Sequence, residues 1–202
     1  MTRMDLTQTT TAMLEGLHDP ANEPVWEAFD LRYRPIIIGF ARNLGLDEAD
    51  AADIAQETLS RFVHEYRLGK YDRNRGRLGA WLVGIARYRI ATLRRDRAGK
   101  YNIQGDSVLA DLDNDERLSV IWEDQRRQQI LRQAMDELKT RTRVEPKTIS
   151  AFEMLVVHQL SPQNVAEEMG MSVHDVYLAK SRVAQKLRDI VNAIETSYDE
   201  EG

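Results

Sequence analysis

The chain has 202 residues, no cysteine and a formal net charge of −5. The absence of cysteine excludes disulfides, thiolate metal sites and a cysteine nucleophile, and the length allows one large domain or two small ones. A hydrophobic content of 42% suffices for folded cores, and the scarcity of proline, glycine and alternating β-branched runs favours helices. No apolar run is long enough to span a bilayer and no signal peptide is visible, so we expect an all-α cytoplasmic protein.

The first forty-five residues predict a loosely held start followed by a helical segment. Residues 1–22 form an N-terminal extension in which Met13, Leu14 and Leu17 are spaced for a short amphipathic helix. Pro24 is placed for the first turn of a helix that continues through Trp26. Pro35 is expected to interrupt this helix, after which residues 36–44 continue the apolar face.

An acidic helix is predicted next. Residues 47–57 hold five acids and no base, and the acids begin in the first turn, where the helix dipole favours them. A buried stripe runs from Ile54 to Tyr66 at helical spacing. The simplest interpretation is a solvated face, but so many acids without basic partners one turn away is unusual.

A basic segment follows the acidic helix. Residues 66–100 contain eleven Lys or Arg and two Asp, a local charge of +9 in a chain that is acidic overall. Arginines alternate there with Tyr66, Tyr71, Trp81 and Tyr88, a combination typical of single-stranded DNA binding. The alternative is a basic helix with a core tryptophan, and Trp81 falls on the apolar stripe, so we assign it mainly to the core.

Residues 99–117 break the helical pattern and are predicted to be an exposed acidic linker. From residue 106 to residue 124 there are seven acids and one Arg, a local charge of −6. A long helix is predicted from residue 118 to about Lys139, and another is expected to run from Pro146 through Val156 to Leu160.

Residues 161–187 have the pattern of a helix-turn-helix. Ser161 and Pro162 begin a short helix, Ala166 leaves room for a close crossing, and Gly170 lies in the turn. Ser172 then begins a second helix, whose core seam includes Val176. Its outward residues suit base edges and phosphates in a major groove, although a packing helical hairpin is an alternative: His174, Tyr177, Leu178, Ser181, Arg182 and Gln185.

No pattern indicates catalysis, a metal site or a cofactor. The four histidines are scattered, and the Glu15–His18 pair lacks the second copy that a di-iron bundle needs. No phosphate-binding glycine loop or nucleophile motif is present. We therefore predict a protein that is not an enzyme.

Two separate motifs together resemble a known family. Residues 50–57 (DAADIAQE), 78–87 (LGAWLVGIAR) and 93–95 (LRR) resemble domain two of bacterial RNA polymerase sigma factors of the extracytoplasmic-function (ECF) group. Residues 165–172 (VAEEMGMS), 176–183 (VYLAKSRV) and 186–188 (KLR) resemble domain four. The form of the last motifs is similar to ECF groups common in planctomycete-type bacteria.

The resemblance implies two small helical domains joined by the acidic linker. Residues 1–22 are then the N-terminal extension, 23–98 sigma domain two, 99–117 the linker, 118–197 sigma domain four and 198–202 a tail. The implied partners are core RNA polymerase, through the clamp helices of its largest subunit and its flap, and promoter DNA. An anti-sigma factor and a regulatory kinase are further candidate partners.

The resemblance also assigns three groups of site residues. Polymerase binding is assigned to Asp50, Asp53, Gln56, Glu57, Ser60 and Arg61. Recognition and melting of the minus-ten element are assigned to Lys70, Tyr71, Asp72, Asn74, Arg75, Arg77, Arg87, Arg94, Arg95 and Arg97. Reading of the minus-thirty-five element is assigned to Ser172, His174, Tyr177, Leu178, Lys180, Ser181, Arg182 and Gln185.

The predicted function is that of an alternative sigma factor, which directs core polymerase to promoters and promotes DNA melting. The alternative is a stand-alone helix-turn-helix transcriptional regulator. Such regulators commonly dimerise to match two half-sites, whereas a sigma factor needs polymerase to bind promoter DNA well.

Overall fold

The computed structural model describes residues 10–72, 76–100 and 110–198. Every regular element in these ranges is helical, which confirms the predicted all-α class. The chain divides into two compact units, the first running to Gln129 and the second comprising Ile130–Tyr198. None of the described helices combines the length and apolar content that a bilayer-spanning segment requires.

The first unit is built from helices α1 to α4 and the beginning of α5. Their bounds are Thr10–Gly16 for α1, Glu23–Asn43 for α2, Glu48–Arg67 for α3, Leu78–Lys100 for α4 and Asp115–Arg141 for α5, with a single 3₁₀ turn at Ala110–Leu112. Met13, Leu14 and Leu17 are buried, so the described part of the N-terminal extension contributes to the core instead of being loosely held.

Aromatic side chains from α2 and α3 fill the centre of the first unit. The rings of Phe29 and Phe62 stack with centroids 5.3 Å apart, and both side chains are fully buried. Leu82 and Ile90 of α4 are also fully buried. The core therefore fixes α3 and α4 side by side, with their polar faces outward.

Helix α2 is continuous through Pro35, so the predicted interruption is wrong. Proline has no N–H to donate to the carbonyl four residues earlier, which belongs to Leu31. The side-chain amide of Gln129 donates to that carbonyl at 3.4 Å, and Gln129 is buried. A partner far along the chain thus satisfies the group that the proline leaves open, and the helix continues.

The N-terminal half of α5 packs tightly into the first unit. Trp122 is buried and meets Phe40 edge-on, with ring centroids 6.1 Å apart. A Cβ at Gly79 would lie 2.8 Å from the Trp122 indole nitrogen, and one at Gly39 would lie 1.8 Å from the Gln125 side-chain oxygen. The two glycines allow this close approach. The division between the units accordingly falls within α5, later than the predicted start of the second domain at residue 118.

The second unit contains the rest of α5 and three further helices. These are α6 at Pro146–Phe152, α7 at Pro162–Met169 and α8 at Val173–Tyr198, with a π-helical turn at Glu153–Val157. The predicted helix from Pro146 is thus observed as α6 continued by the π-helical turn to Val157, three residues short of Leu160, and Val156 is exposed. Ala166 is buried against α8 residues Val176 and Ala179, as the small residue at this position predicted.

Candidate nucleic-acid and partner interfaces

The six residues assigned to polymerase binding lie along one side of α3. They recur at helical spacing from Asp50 to Arg61, and all are exposed except Asp50, which is half-buried. Asp47 caps the helix by accepting a hydrogen bond from the Asp50 backbone N–H at 2.9 Å. The Gln56 amide donates to the Ser60 hydroxyl at 3.2 Å. This side of α3 is therefore an ordered polar strip.

Two acids of this strip have partners within the chain, which corrects the inference that the acids are unpaired. Arg97 of α4 donates to Asp50 at 2.7 Å, and Arg89 lies 3.4 Å from Glu57. Asp53 makes no side-chain hydrogen bond or ion pair within the described ranges and is exposed. Asp53 is consequently the acid of this strip with the most freedom to engage another molecule.

The loop between α3 and α4 is partly held in place by aromatic packing. The Tyr71 ring meets Trp81 edge-on with centroids 5.5 Å apart and also contacts Phe62. Asp72 is half-buried, whereas Lys70 and Arg77 are exposed. Asn74 and Arg75, also assigned to the minus-ten element, lie outside the described residues. Tyr71 thus supports the start of α4 and is less available than the sequence predicted.

A groove runs between α3 and α4 next to this loop. Its volume is about 570 Å³. Its walls are aromatic, apolar and charged: Arg61, Glu65, Trp81, Gly84, Ile85, Tyr88 and Arg89. A Cβ at Gly84 would meet no atom within 4 Å, so the missing side chain opens the groove.

Trp81 and Tyr88 line the groove, and both belong to the aromatic and basic segment that the sequence indicated, although neither was among the residues assigned to DNA. Trp81 is half-buried and lines the groove, so its assignment mainly to the core is incomplete. Tyr88 is 65% exposed. The spacing of Trp81, Ile85 and Tyr88 along one stripe carried the signal, but the same spacing also describes a core face. The flat rings provide stacking surfaces for unstacked nucleotides, and the Arg61 and Arg89 guanidiniums beside them are paired with Glu65 at 2.6 Å and Glu57 at 3.4 Å.

The arginines of α4 bind carboxylates that the sequence placed in an exposed linker. Arg94 forms a bidentate ion pair with Asp111, in which its two terminal nitrogens donate to the two carboxylate oxygens at 2.5 and 3.1 Å. Arg94 also donates to the Leu44 carbonyl. Arg87 donates to Asp115 at 2.6 Å and to Asp113 at 3.0 Å. The described end of the predicted linker is therefore held on α4 by Leu112 and by its carboxylates, while residues 113–117 are exposed as predicted.

The environment of Asp111 shows how firmly this docking is made. Hydrogen bonding from Arg94 lowers the pKa of Asp111 below its ordinary value, against the opposing effect of partial burial. Both side chains are largely covered, with exposures of 18% for Arg94 and 27% for Asp111. Arg95, by contrast, is exposed and makes no side-chain hydrogen bond or ion pair within the described ranges.

The helix-turn-helix predicted in the second unit has capped helices and a tight turn. Ser161 accepts a hydrogen bond from the Asn164 backbone N–H at 3.2 Å, and Gly170 ends α7 with φ 58° in the left-handed region. Ser172 accepts from the Asp175 N–H at 3.1 Å and donates to its carboxylate at 2.6 Å. These bonds from Ser172 lower the pKa of Asp175. Ser172, assigned to DNA reading, is thus engaged in capping α8.

The remaining residues assigned to the minus-thirty-five element project from α8 into solvent. All seven are exposed: His174, Tyr177, Leu178, Lys180, Ser181, Arg182 and Gln185. The Gln185 amide donates to Asp189 at 3.0 Å and its oxygen accepts from Arg188 at 2.8 Å. Arg182 makes no side-chain hydrogen bond or ion pair within the described ranges, and its charge contributes to the lowered pKa of Asp175 only as a minor, longer-range effect, so its five donors can meet a base edge or a phosphate.

Within the described ranges, no three His, Cys, Asp or Glu side chains come together as metal ligands would. The arrangement instead offers an acidic strip, an aromatic groove, a row of arginines and an exposed capped helix. These features are candidate surfaces for contacts with another protein and with nucleic acid.

Comparison with protein families supports this class. Residues 30–99 match the family model of sigma-70 region 2, a segment that covers about a third of the chain and nearly all of α2 to α4. A comparison with curated proteins gave no significant match. The first unit is therefore similar to the sigma-factor region that takes part in promoter recognition and RNA polymerase binding.

Proposed function

We propose that the chain is a sigma factor of the ECF group, which acts in the cytoplasm by directing core RNA polymerase to promoters. The match of residues 30–99 to sigma-70 region 2 carries the proposal. A second unit with an exposed, capped helix-turn-helix supports the further assignment of that unit to sigma region four.

The polymerase contact is assigned to the α3 strip around Asp53 and Gln56. Both side chains are exposed, and neither contributes to the core. Their loss should therefore weaken partner binding without unfolding the helix. The clamp helices of the largest polymerase subunit are the proposed partner, and the flap is proposed for the second unit.

Promoter melting is assigned to the groove and to the loop beside it. Trp81 and Tyr88 would stack on an unpaired base, while Arg89 would exchange its Glu57 partner for a neighbouring phosphate. Stacking of one base on an aromatic side chain is worth about 1–3 kcal/mol. Recognition of duplex DNA upstream is assigned to α8, with Arg182 as the leading candidate for a base-edge contact.

The deciding experiment is transcription in vitro with core polymerase and a library of promoter sequences. Selective initiation that depends on the chain is the expected result. Asp53→Ala combined with Gln56→Ala should abolish core binding while the circular dichroism spectrum stays unchanged, whereas Glu48→Gln, at an exposed acid in the first turn of the same helix, should leave binding intact. Undiminished binding by the double variant would remove the assignment of the α3 strip.

The groove is tested separately by Tyr88→Ala. Because the side chain is 65% exposed, the substitution should not disturb folding. Loss of one stacking contact of about 1 kcal/mol or more predicts at least a ~5-fold drop in open-complex formation, measured by permanganate reactivity of unpaired thymines. Strong sequence-specific footprints by the isolated chain, formed as a dimer and without polymerase, would favour a stand-alone regulator instead.

A further inference from the structure

Three carboxylates of residues 110–115 lie on two arginines of α4. Asp111 pairs with Arg94, while Asp113 and Asp115 both pair with Arg87. We refer to residues 110–115 as the acidic strap. Arg87 and Arg94 are seven residues apart, about 10 Å along the helix, so the strap covers two successive turns of the surface assigned to promoter phosphates.

Apolar anchors hold the acidic strap in this position. Leu112 is buried within the strap, and Leu118 and Trp122 are buried just beyond it. Asn114 begins α5 by accepting a hydrogen bond from the Arg117 backbone N–H at 2.9 Å. Hydrophobic burial therefore positions the strap, and its carboxylates lie within reach of the arginines as a consequence.

The two arginines differ in how firmly their carboxylates are held. The Arg94–Asp111 pair is largely covered and two-pronged, which gives geometric specificity and contributes to folding. Asp113 and Asp115 are 77% and 85% exposed, and ion pairs in such positions contribute little to stability. They nevertheless neutralise Arg87. The pairing at Arg87 thus adds little to stability but does occupy a cation that faces solvent.

We propose that the acidic strap is an internal competitor for DNA, in which Asp113 and Asp115 stand where backbone phosphates would bind Arg87. A carboxylate and a phosphate oxygen present the same acceptor chemistry to a guanidinium. The inference rests on the proposed function, in which α4 contacts promoter phosphates. The free chain then binds DNA weakly, and productive binding at Arg87 requires phosphates to displace the two exposed carboxylates while Arg94 stays engaged with Asp111.

The test measures binding of the full-length chain to a labelled single-stranded oligonucleotide and to a duplex, both of mixed sequence, across a range of salt concentrations. Asp113→Asn with Asp115→Asn frees Arg87 without changing side-chain size. The control, Glu116→Gln with Glu48→Gln, removes the same charge from exposed acids that form no ion pair within the described residues. Unchanged helicity and melting are expected for both double variants.

The strap variant should bind duplex about 5- to 10-fold more tightly at 0.1 M salt, with a log–log salt slope steeper by about 0.9, as one added phosphate contact requires. Equal gains in DNA affinity by the strap variant and the control would refute the proposed competition, because the loss of negative charge alone would then explain both gains. Adding Arg87→Ala to the strap variant should remove its extra affinity, and persistence of the gain would likewise overturn it.

The two proposals fail in different ways. If Arg87→Ala lowers promoter-dependent transcription but the strap variant gains no affinity, the phosphate contact stands and the competition is wrong. If Arg87→Ala changes neither transcription nor DNA binding in either background, Arg87 does not contact DNA, and both assignments for this residue are wrong.

Discussion

Replacing Trp122 with alanine should destabilise the first unit strongly, because α5 begins inside that unit's core. The side chain is 4% exposed and packs against Phe40 and Gly79. A buried aromatic side chain covers about 200 Å², worth about 5 kcal/mol at 25 cal/mol per Å². Alanine keeps part of this contact, so we expect a loss of about 3–5 kcal/mol.

Tryptophan fluorescence provides a selective assay for this loss. All three tryptophans belong to the first unit, so Trp26 and Trp81 remain as reporters of its unfolding in the variant. With a urea dependence of about 2 kcal/mol per molar, the midpoint should fall by about 2 M.

A neighbouring residue on the same helix supplies the control for the Trp122 substitution. Val120 is 56% exposed, and Val120→Ala should change the free energy of unfolding by no more than about 0.5 kcal/mol. If Trp122→Ala costs less than about 1 kcal/mol, the beginning of α5 is not part of the core, and the docking of the acidic strap loses its support.

Three further predictions concern local contacts. Asp111→Asn should lower the free energy of unfolding by about 1–2 kcal/mol at neutral pH. Because Arg94 lowers the folded-state pKa of Asp111, this stabilisation is present above the ordinary carboxyl pKa range and is lost as pH falls through the lowered pKa. Urea titrations of the variant and the parent chain should therefore converge in acid. Gly170→Ala should cost about 1 kcal/mol in thermal melts followed by circular dichroism, and Gly170→Asn less, because asparagine tolerates the left-handed conformation better. Gln129→Ala should lower the free energy of unfolding by about 1 kcal/mol in the parent chain, and by less in a Pro35→Ala background, because alanine restores the N–H that bonds the Leu31 carbonyl. Equal losses in the two backgrounds of this double-mutant cycle would show that the Leu31 carbonyl does not need the glutamine.

Local signals in the sequence predicted the helices and their ends well. Ser161 and Ser172 cap the helices that their positions indicated, and Gly170 adopts the left-handed conformation expected of the turn. Such features depend on residues within one turn of each other, so a sequence displays them directly. Pro35 was misread because its compensation comes from Gln129, whose proximity only the tertiary fold creates.

The candidate interfaces were predicted less completely for the same reason. Exposed α8 residues such as Arg182 follow from the core seam of a single helix. The pairing of Arg87 with Asp113 depends instead on where residues 110–115 pack, far along the chain from Arg87. The positive charge of residues 66–100 did not indicate which acids would pair with it. Trp81 was ambiguous because a stripe at helical spacing lines a core and a groove equally well, and only the opening at Gly84 distinguishes them.

The contact between Gly39 and Gln125 has a consequence for how this chain can diverge. Because a Cβ at residue 39 would overlap the Gln125 side chain, the two positions share one fixed volume. Relatives with alanine or serine at the first position should carry a shorter residue at the second. The pair should therefore covary in size, and an alignment in which the two positions vary independently would show that the spacing between α2 and α5 is adjustable.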